Sequence, residues 1–325
     1  MRASEPIAPQ VCPAVFFTRK ADAILPDGPD QPLVTVLLPA RNAQRTLALA
    51  VRSIVWQTYA NWELLVLDDG SGDSTVAIAR GFGDPRIRVL GDASWLGLAA
   101  RLNQGIDAAR GTLLARLDAD DVAYPERLAH QVRFLQAHPE VDLVGTGAVV
   151  FGDDGQAFGS FPAPLTHREI CHRPWSGFHL PHPTWMGRIS WFRRFRYRPE
   201  QDRAAQDQDL LLRSFRDSTF ANLPETLTGY RQHELSWKKF ARGRVQWARA
   251  ALREARIRRN WYAMIAVPTV QLTKGLYETA VIASGLGRRV LRHRALPLPQ
   301  SERERWDRLW SRLNARSATG VCDQG

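Results

Sequence analysis

The sequence predicts an α/β fold: a doubly wound, mostly parallel sheet flanked by helices, followed by a basic helical C-terminal region. Three observations predict it. Short apolar runs rich in Val and Leu alternate with helix-spaced apolar segments through the first half of the chain. Polar clusters stand at the ends of three of those runs, at Pro39–Asn42, Asp68–Ser71 and Asp118–Asp121. From Lys238 onward there are about 19 Lys/Arg against about 6 Asp/Glu, so this region alone accounts for the net charge of +11.

The elements follow in order. Residues 1–31 hold several prolines and no periodic pattern, and read as a loosely ordered lead-in. Leu33–Leu38 is a buried strand ended by Pro39, and Thr46–Thr58 carries helix-spaced Leu47, Val51, Ile54 and Val55. Trp62–Leu67 is the second strand, and Ser74 or Asp73 caps a helix over Thr75–Arg80. Ile87–Leu90 is a third strand, and Leu98–Arg110 is a helix stopped by Gly111. The run from Leu113 to Leu117 is the fourth strand, and Pro125 sits where a helix can begin. In such a β-α-β-α-β-α-β order, ligands bind outside the carboxyl ends of the strands.

Further on the pattern loosens. Val141–Phe151 and Gln156–Phe161 form a hairpin across 152–155. His179–Arg188 leads from a loop into a strand, Gln206–Phe215 is an acid-opened helix, and Leu227–His233 is a strand. These readings divide the chain into the lead-in, an α/β domain over 32–236 and a basic, mainly helical region over 237–325.

Composition bounds the function. Hydrophobic residues at 44 % and charged residues at 24 % are those of a globular protein. Cys12, Cys171 and Cys322 lie far apart with no metal-ligand spacing, as expected of a reducing compartment without a disulfide framework. No positive segment followed by an apolar run marks a signal peptide at the amino terminus. The apolar stretch Trp261–Thr273 is interrupted by Pro268 and Gln271, which favours a buried or interfacial helix over a membrane span.

The chemistry concentrates at Asp118, Asp120 and Asp121. Residues two apart on an extended segment point to the same side, so Asp118 and Asp120 can face one hard cation, Mg²⁺ or Mn²⁺. Such an ion neutralises charge on a departing diphosphate. An acceptor hydroxyl also needs a carboxylate to take its proton.

The ordered motifs VTVLLPARN (34–42), VLDDGSGDST (66–75), LGLAARLNQGIDAARGTLLARLDADD (96–121), HPTWMGR (182–188), AQDQDLLLR (205–213) and YRQH (230–233) resemble the family 2 glycosyltransferases of GT-A fold. The resemblance covers roughly residues 33–236. It implies an inverting, non-processive enzyme, since the Gln-x-x-Arg-Trp motif and membrane spans of the processive members are missing. It places Pro39, Ala40 and Arg41 beside the donor nucleotide, Asp69 on its base or ribose, and Asp118 at the donor. Asp120 is implied as the direct metal ligand, with Asp118 and His233 assisting, and Asp121 as a supporting acid. Asp207 is implied as the catalytic base, although Gln206 stands where the family commonly has Glu. Asp209 is assigned a supporting role and Asn103 a structural one, and His182, Trp185 and Arg188 fall on the acceptor side, with Trp185 able to stack on a sugar.

The implied donor is a UDP- or other nucleotide-sugar, and the acceptor a glycan or lipid-linked sugar of a cell-surface polysaccharide or lipopolysaccharide. The arginines at 249, 253, 256 and at 305, 308, 312 recur at helical spacing among tryptophans. That pattern fits peripheral contact with an anionic membrane on its cytoplasmic, inner face, or else a solvated appendage. Nucleic acid is excluded as a partner because no recognised module or aromatic-interleaved basic strand occurs. A sugar nucleotidyltransferase would share the sheet and the metal but bring a glycine-rich loop after the first strand. A non-catalytic nucleotide-sugar or glycan-binding protein would not need both Asp120 and Asp207.

Overall fold

Nine strands form one mixed sheet in a computed structural model that describes residues 31–161, 163–201, 205–232, 237–284 and 296–315. Residues 1–30 of the expected lead-in over 1–31, and His233, lie outside the described residues. The strands are β1 (Val34–Ala40), β2 (Trp62–Asp68), β3 (Ile87–Leu90), β4 (Leu113–Arg116), β5 (Val122–Ala123), β6 (Leu143–Phe151), β7 (Ala157–Phe161), β8 (Met186–Arg188) and β9 (Phe220–Arg231). Their order is β3-β2-β1-β4-β8-β6-β9-β5, with β7 also on β6. The first four are parallel, as the alternation of strands and helices requires. Past β4 the sheet turns mixed: β8 runs antiparallel to β4 and β6, whereas β6 and β9 are parallel.

The helices are α1 (Leu47–Val55), α2 (Thr75–Arg80), α3 (Leu98–Ala108), α4 (Arg127–Ala137), α5 (His167–Ile170), α6 (Ile189–Phe195), α7 (Gln206–Ser214), α8 (Trp237–Ile257), α9 (Trp261–Ala283) and α10 (Gln300–Ala315). Two-residue alternation along β1 and β2 sorts the core into two layers. Val34, Val36, Leu38, Leu64 and Val66 join α1 and α4 on one face. Leu37, Leu65 and Leu67 join α3, α6 and α7 on the other.

Most element boundaries agree with the sequence reading to within a few residues. The hairpin β6–β7 closes through Gly152 N–H to Gln156 O (3.1 Å), with Gly155 at φ +80°. The exception is β9, which begins seven residues before the expected Leu227. Pro224 and exposed Glu225 break its alternation, and the pairing with β6 is irregular there.

The basic C-terminal region is not one appendage. Trp306, Leu309 and Leu313 of α10 are buried in the same layer as β1 and α4. Trp306 packs at 4.6 Å from Phe151 and 5.6 Å from Trp310, and donates its indole N–H to Gly155 O at 2.8 Å. Arg305 bonds Thr226 O and Glu126 and lies over the Tyr124 ring, and Arg312 lies over Trp56. Arg305 and Arg312 thus both make contacts with the sheet layer. Trp247 and Ala251 of α8 pack into the opposite core, against the α7 side.

Trp306→Ala removes a fully buried indole, its hydrogen bond and its ring contacts with Tyr124, Phe151 and Trp310. Chemical denaturation is expected to show a loss of about 3–5 kcal/mol. A change within error of zero would mean that α10 is not integral to the fold.

Candidate active site

Three strand ends build one cleft. The loops after β1 and β2 are tied together: Asn42 N–H donates to Ser71 Oγ (3.0 Å), Gly72 N–H to Asn42 Oδ1 (2.9 Å) and Ala43 N–H to Thr75 Oγ1 (2.7 Å). Asn42 holds φ +49°, a conformation that its short polar side chain tolerates. At the mouth, the Arg41 guanidinium sits 5.2 Å from the ring centre of Trp95, itself 63 % exposed. The open cleft has a volume of about 830 Å³. Pro39, Ala40, Arg41, Asp69, Asp118 and Asp120, all expected at the donor or the metal, line it together.

Asp69 helps to build the wall. Its Oδ1 accepts from Leu96 N–H (2.8 Å) and Gly97 N–H (3.0 Å) at the start of α3 and from Arg101 Nε (3.2 Å). Asp69 thus fixes the β3–α3 loop that carries Trp95.

Beyond β4 the chain bends through the acidic trio. One ligand atom from each of Asp118, Asp120 and Asp121 lies within 4.8 Å of the others. Beneath them Arg116, 1 % exposed, pairs with Asp118 Oδ1 at 2.5 Å. Asp121 accepts Arg231 N–H at 2.7 Å, and Arg231 Nε donates to Asp120 O at 2.9 Å, so β9 clamps the bend. Burial, and then the charges of Asp120 and Asp118, hold Asp121 well above the usual carboxylate range. Burial also raises Asp118, against the opposing pull of Arg116. Asp121 Oδ2 is buried with no hydrogen-bond partner. Clustered carboxylates with a buried orphan oxygen suit a hard divalent cation.

Asp207 arrives on a separate element, the first turn of α7 behind Ala205 at φ +60°. Gln208 Nε2 donates to it at 3.4 Å. Its charge is felt at Asp118, and the Arg116 charge is felt in return, so base and trio share one electrostatic environment. The helix start alone favours a low proton affinity. Burial outweighs it and raises Asp207 above the ordinary aspartate value. Asp209 points elsewhere: it is 2 % exposed and bonded by Arg198 (3.3 Å) and Arg213 (2.9 Å). Asn103 brackets Tyr197, donating to its carbonyl (2.8 Å) and accepting its N–H (3.0 Å).

The expected acceptor-side residues need correction. Trp185 is fully buried with its indole N–H on Leu180 O (3.0 Å), so it cannot stack on a sugar. Arg188 pairs in register with Leu113 at the start of β4, the end away from the trio, where it donates to Leu135 O and His138 O at the close of α4. His182 is 8 % exposed, bonded to the Tyr197 hydroxyl at 2.7 Å, and pushed well below its ordinary value by burial and then by Arg116. It is a neutral member of an aromatic cluster.

Several site residues escaped the sequence reading. Arg116 had a signal: it stands two before Asp118 on a strand, hence on the same side. Arg45, Trp95 and Arg242 also line the cleft. Arg242 comes from α8, far along the chain, and no local pattern announces it.

Comparison with known proteins agrees with this geometry. The sequence profile described as "Glycosyl transferase family 2" matches residues 35–196. The relative named "Putative glycosyltransferase EpsE", of Bacillus subtilis (strain 168), is 35 % identical over 214 residues, covering 64 % of this chain and 76 % of EpsE. The Escherichia coli enzyme WfgD is named a UDP-Glc:alpha-D-GlcNAc-diphosphoundecaprenol beta-1,3-glucosyltransferase. It is 33 % identical over 143 residues, covering 43 % of this chain and 56 % of WfgD. Among solved structures, the mannosyltransferase PcManGT of Pyrobaculum calidifontis, in complex with GDP-Man and Mn²⁺, superposes with TM-score 0.53 at 17 % identity. That match covers 91 % of this chain and 88 % of PcManGT. S. aureus TarS 1–349 with UDP-GlcNAc superposes with TM-score 0.54 at 18 % identity, covering 67 % and 66 % of the two chains. These structures share the GT-A fold. With its fold, its acidic trio and these relatives in agreement, the chain belongs to glycosyl transferase family 2 and is a glycosyltransferase.

Proposed function

We propose that this glycosyltransferase is inverting and metal-dependent. It moves one sugar from a nucleoside-diphosphate sugar to the hydroxyl of a lipid-linked or glycan acceptor of a cell-surface polysaccharide or lipopolysaccharide. The observation that carries the reading is that Asp118 and Asp120 line one open cleft with Pro39, Ala40 and Arg41, while Asp207, from a distant part of the chain, lies near enough for its charge to act on Asp118. The nucleotide-sugars and Mn²⁺ named for TarS and PcManGT support a nucleotide-sugar donor and a divalent ion. The diphosphoundecaprenol acceptor in the name of WfgD supports a lipid-linked one, reached at the inner face of the cell membrane.

In this reading the donor lies along the cleft with its base toward Asp69 and the Arg41–Trp95 rim. Asp120 and Asp118 hold Mg²⁺ or Mn²⁺, with Asp121 fixing the bend. When bound, the ion offsets the negative charge that grows on the diphosphate as it leaves. Arg41, Arg45 and Arg242 add fixed positive charge along the same cleft. Asp207 takes the proton of the acceptor hydroxyl as that oxygen attacks the anomeric carbon. The bond to the diphosphate breaks on the opposite face, so the configuration inverts. Because burial raises the proton affinity of Asp207, it is a stronger base than a solvated aspartate whenever it is ionised.

Incubation with a panel of nucleotide-sugars and Mn²⁺ is expected to release nucleoside diphosphate slowly from one donor even without acceptor. A sugar nucleotidyltransferase would instead release or consume pyrophosphate, and a binding protein would leave every donor intact.

Asp207→Asn keeps the shape and removes the base. Turnover is expected to fall at least ~10²-fold with donor affinity nearly unchanged. Asp209→Asn is expected to reduce stability, since it strips a buried carboxylate from Arg198 and Arg213. A dead Asp209→Asn beside an active Asp207→Asn would reassign the base.

The pH profile has a defined sign. Asp207 works ionised and its proton affinity is raised in the folded protein, so kcat should fall as pH drops through a value above the ordinary 3.8. An acid limb at or below that value would contradict the buried base.

A further inference from the structure

Helix α9 carries two apolar faces, and the fold uses one. Ala263 and Val267 are buried, Val267 in the layer that holds Trp247 and Ala251 of α8. On the other side Trp261, Tyr262, Ile265, Leu272 and Leu276 are each between 63 % and 75 % exposed. Positions 261, 265, 272 and 276 recur at helical spacing, so they form one stripe. At 1.5 Å per residue that stripe runs for about 22 Å.

The chemistry around the stripe identifies its occupant. From Asn260 to Tyr277 the sequence has no Asp or Glu. The corner leading into α9 exposes Arg256, Ile257 and Arg259 immediately before Trp261 and Tyr262. Aromatic rings with arginines at one end and aliphatic side chains along one face match the layering of a bilayer's headgroup region. No described helix is long and apolar enough to cross a membrane. A second copy of the chain is a poorer occupant. Packed parallel, it would bring cations of this basic segment together, with no acid in the stripe to answer them.

We infer that α9 lies in the headgroup region of an anionic bilayer, with the Trp261–Leu276 stripe inward and Arg256 and Arg259 at the phosphates. This deepens the proposed function, on which the presence of a lipid-linked acceptor rests. The far half of α9 passes the base: Lys274 Nζ donates to Ser176 O at 3.2 Å. Two residues on, Phe178 N–H bonds the side chain of Gln208 at 2.8 Å, and Gln208 adjoins Asp207. An acceptor sugar carried at the membrane surface would therefore arrive on the side of Asp207.

The full chain should co-sediment with phosphatidylcholine vesicles containing about 30 % phosphatidylglycerol, less with pure phosphatidylcholine, and less again as salt rises. Ile265→Ser/Leu272→Ser/Leu276→Ser should lower partitioning at least ~10-fold while UDP or GDP affinity stays unchanged. Arg256→Gln/Arg259→Gln should lower binding to the anionic vesicles alone. If the triple variant misfolds, the wild-type protein still decides: brominated lipids should quench part of its fluorescence, and Trp261→Phe should remove that part. Wild-type protein that ignores both vesicles, a serine variant that binds like wild type, or a stripe that instead holds a dimer by light scattering would overturn the inference. Binding is read without turnover, so an active enzyme that does not bind vesicles fails only here. A vesicle-binding protein that turns over no donor fails only the proposed function.

Discussion

A buried guanidinium governs the candidate site. Arg116 ends β4 almost without solvent contact and pairs with Asp118, whose side chain keeps 32 % exposure to the cleft. An unpaired buried arginine would cost several kcal/mol, so the carboxylate is needed for the fold as well as for the site. The same positive charge opposes the burial that raises Asp118 and Asp207, and it helps to keep His182 neutral. Four acids can gather here because their mutual repulsion is partly answered from below. The remainder matches what a divalent ion and a set of arginines at a diphosphate site supply.

That arrangement depends on the sheet order. Parallel β3-β2-β1-β4 brings three strand ends to one edge, which makes the cleft unavoidable once the loops are polar. The loops are then locked to each other through Asn42, Ser71 and Thr75 rather than left mobile. After β4 the chain needs a wall on the open side. Antiparallel β8 and the β6–β9 pair supply it, and Arg231 reaches from β9 to hold the acidic bend. The C-terminal helices divide the remaining work: α10 closes one face of the sheet, while α8 closes the other and lends Arg242 to the cleft.

The first half of the chain was legible because its signals are local. Runs such as Leu33–Leu38 and Trp62–Leu67 state strand, burial and end point within a few residues. The acidic trio and the helix at Asp207 were legible for the same reason. Trp185 and Arg188 were misplaced because a motif gives order along the chain and not depth. Trp185 lies in the core, and Arg188 sits two residues beyond Met186 on a short strand, at the wrong end. At Asp207 burial outweighs the pull of the helix start, a balance that needs the surrounding atoms. In α10 the arginine periodicity hid a second one, Trp306, Leu309 and Leu313, which the sheet buries. For α9 the apolar stretch from Trp261 left a buried and an interfacial helix both open, because pattern alone cannot say which of two apolar faces finds a partner.

The central claim is that the cleft binds a nucleoside diphosphate together with a divalent ion held by Asp118 and Asp120. Titration calorimetry with UDP and GDP, in Mn²⁺ and in excess chelator, tests it most directly. The account predicts that one of the two nucleotides binds in Mn²⁺, that chelation abolishes most of that heat, and that Asp120→Asn abolishes it in either buffer. Equal nucleotide affinity with and without the ion, unaffected by Asp120→Asn, would contradict it.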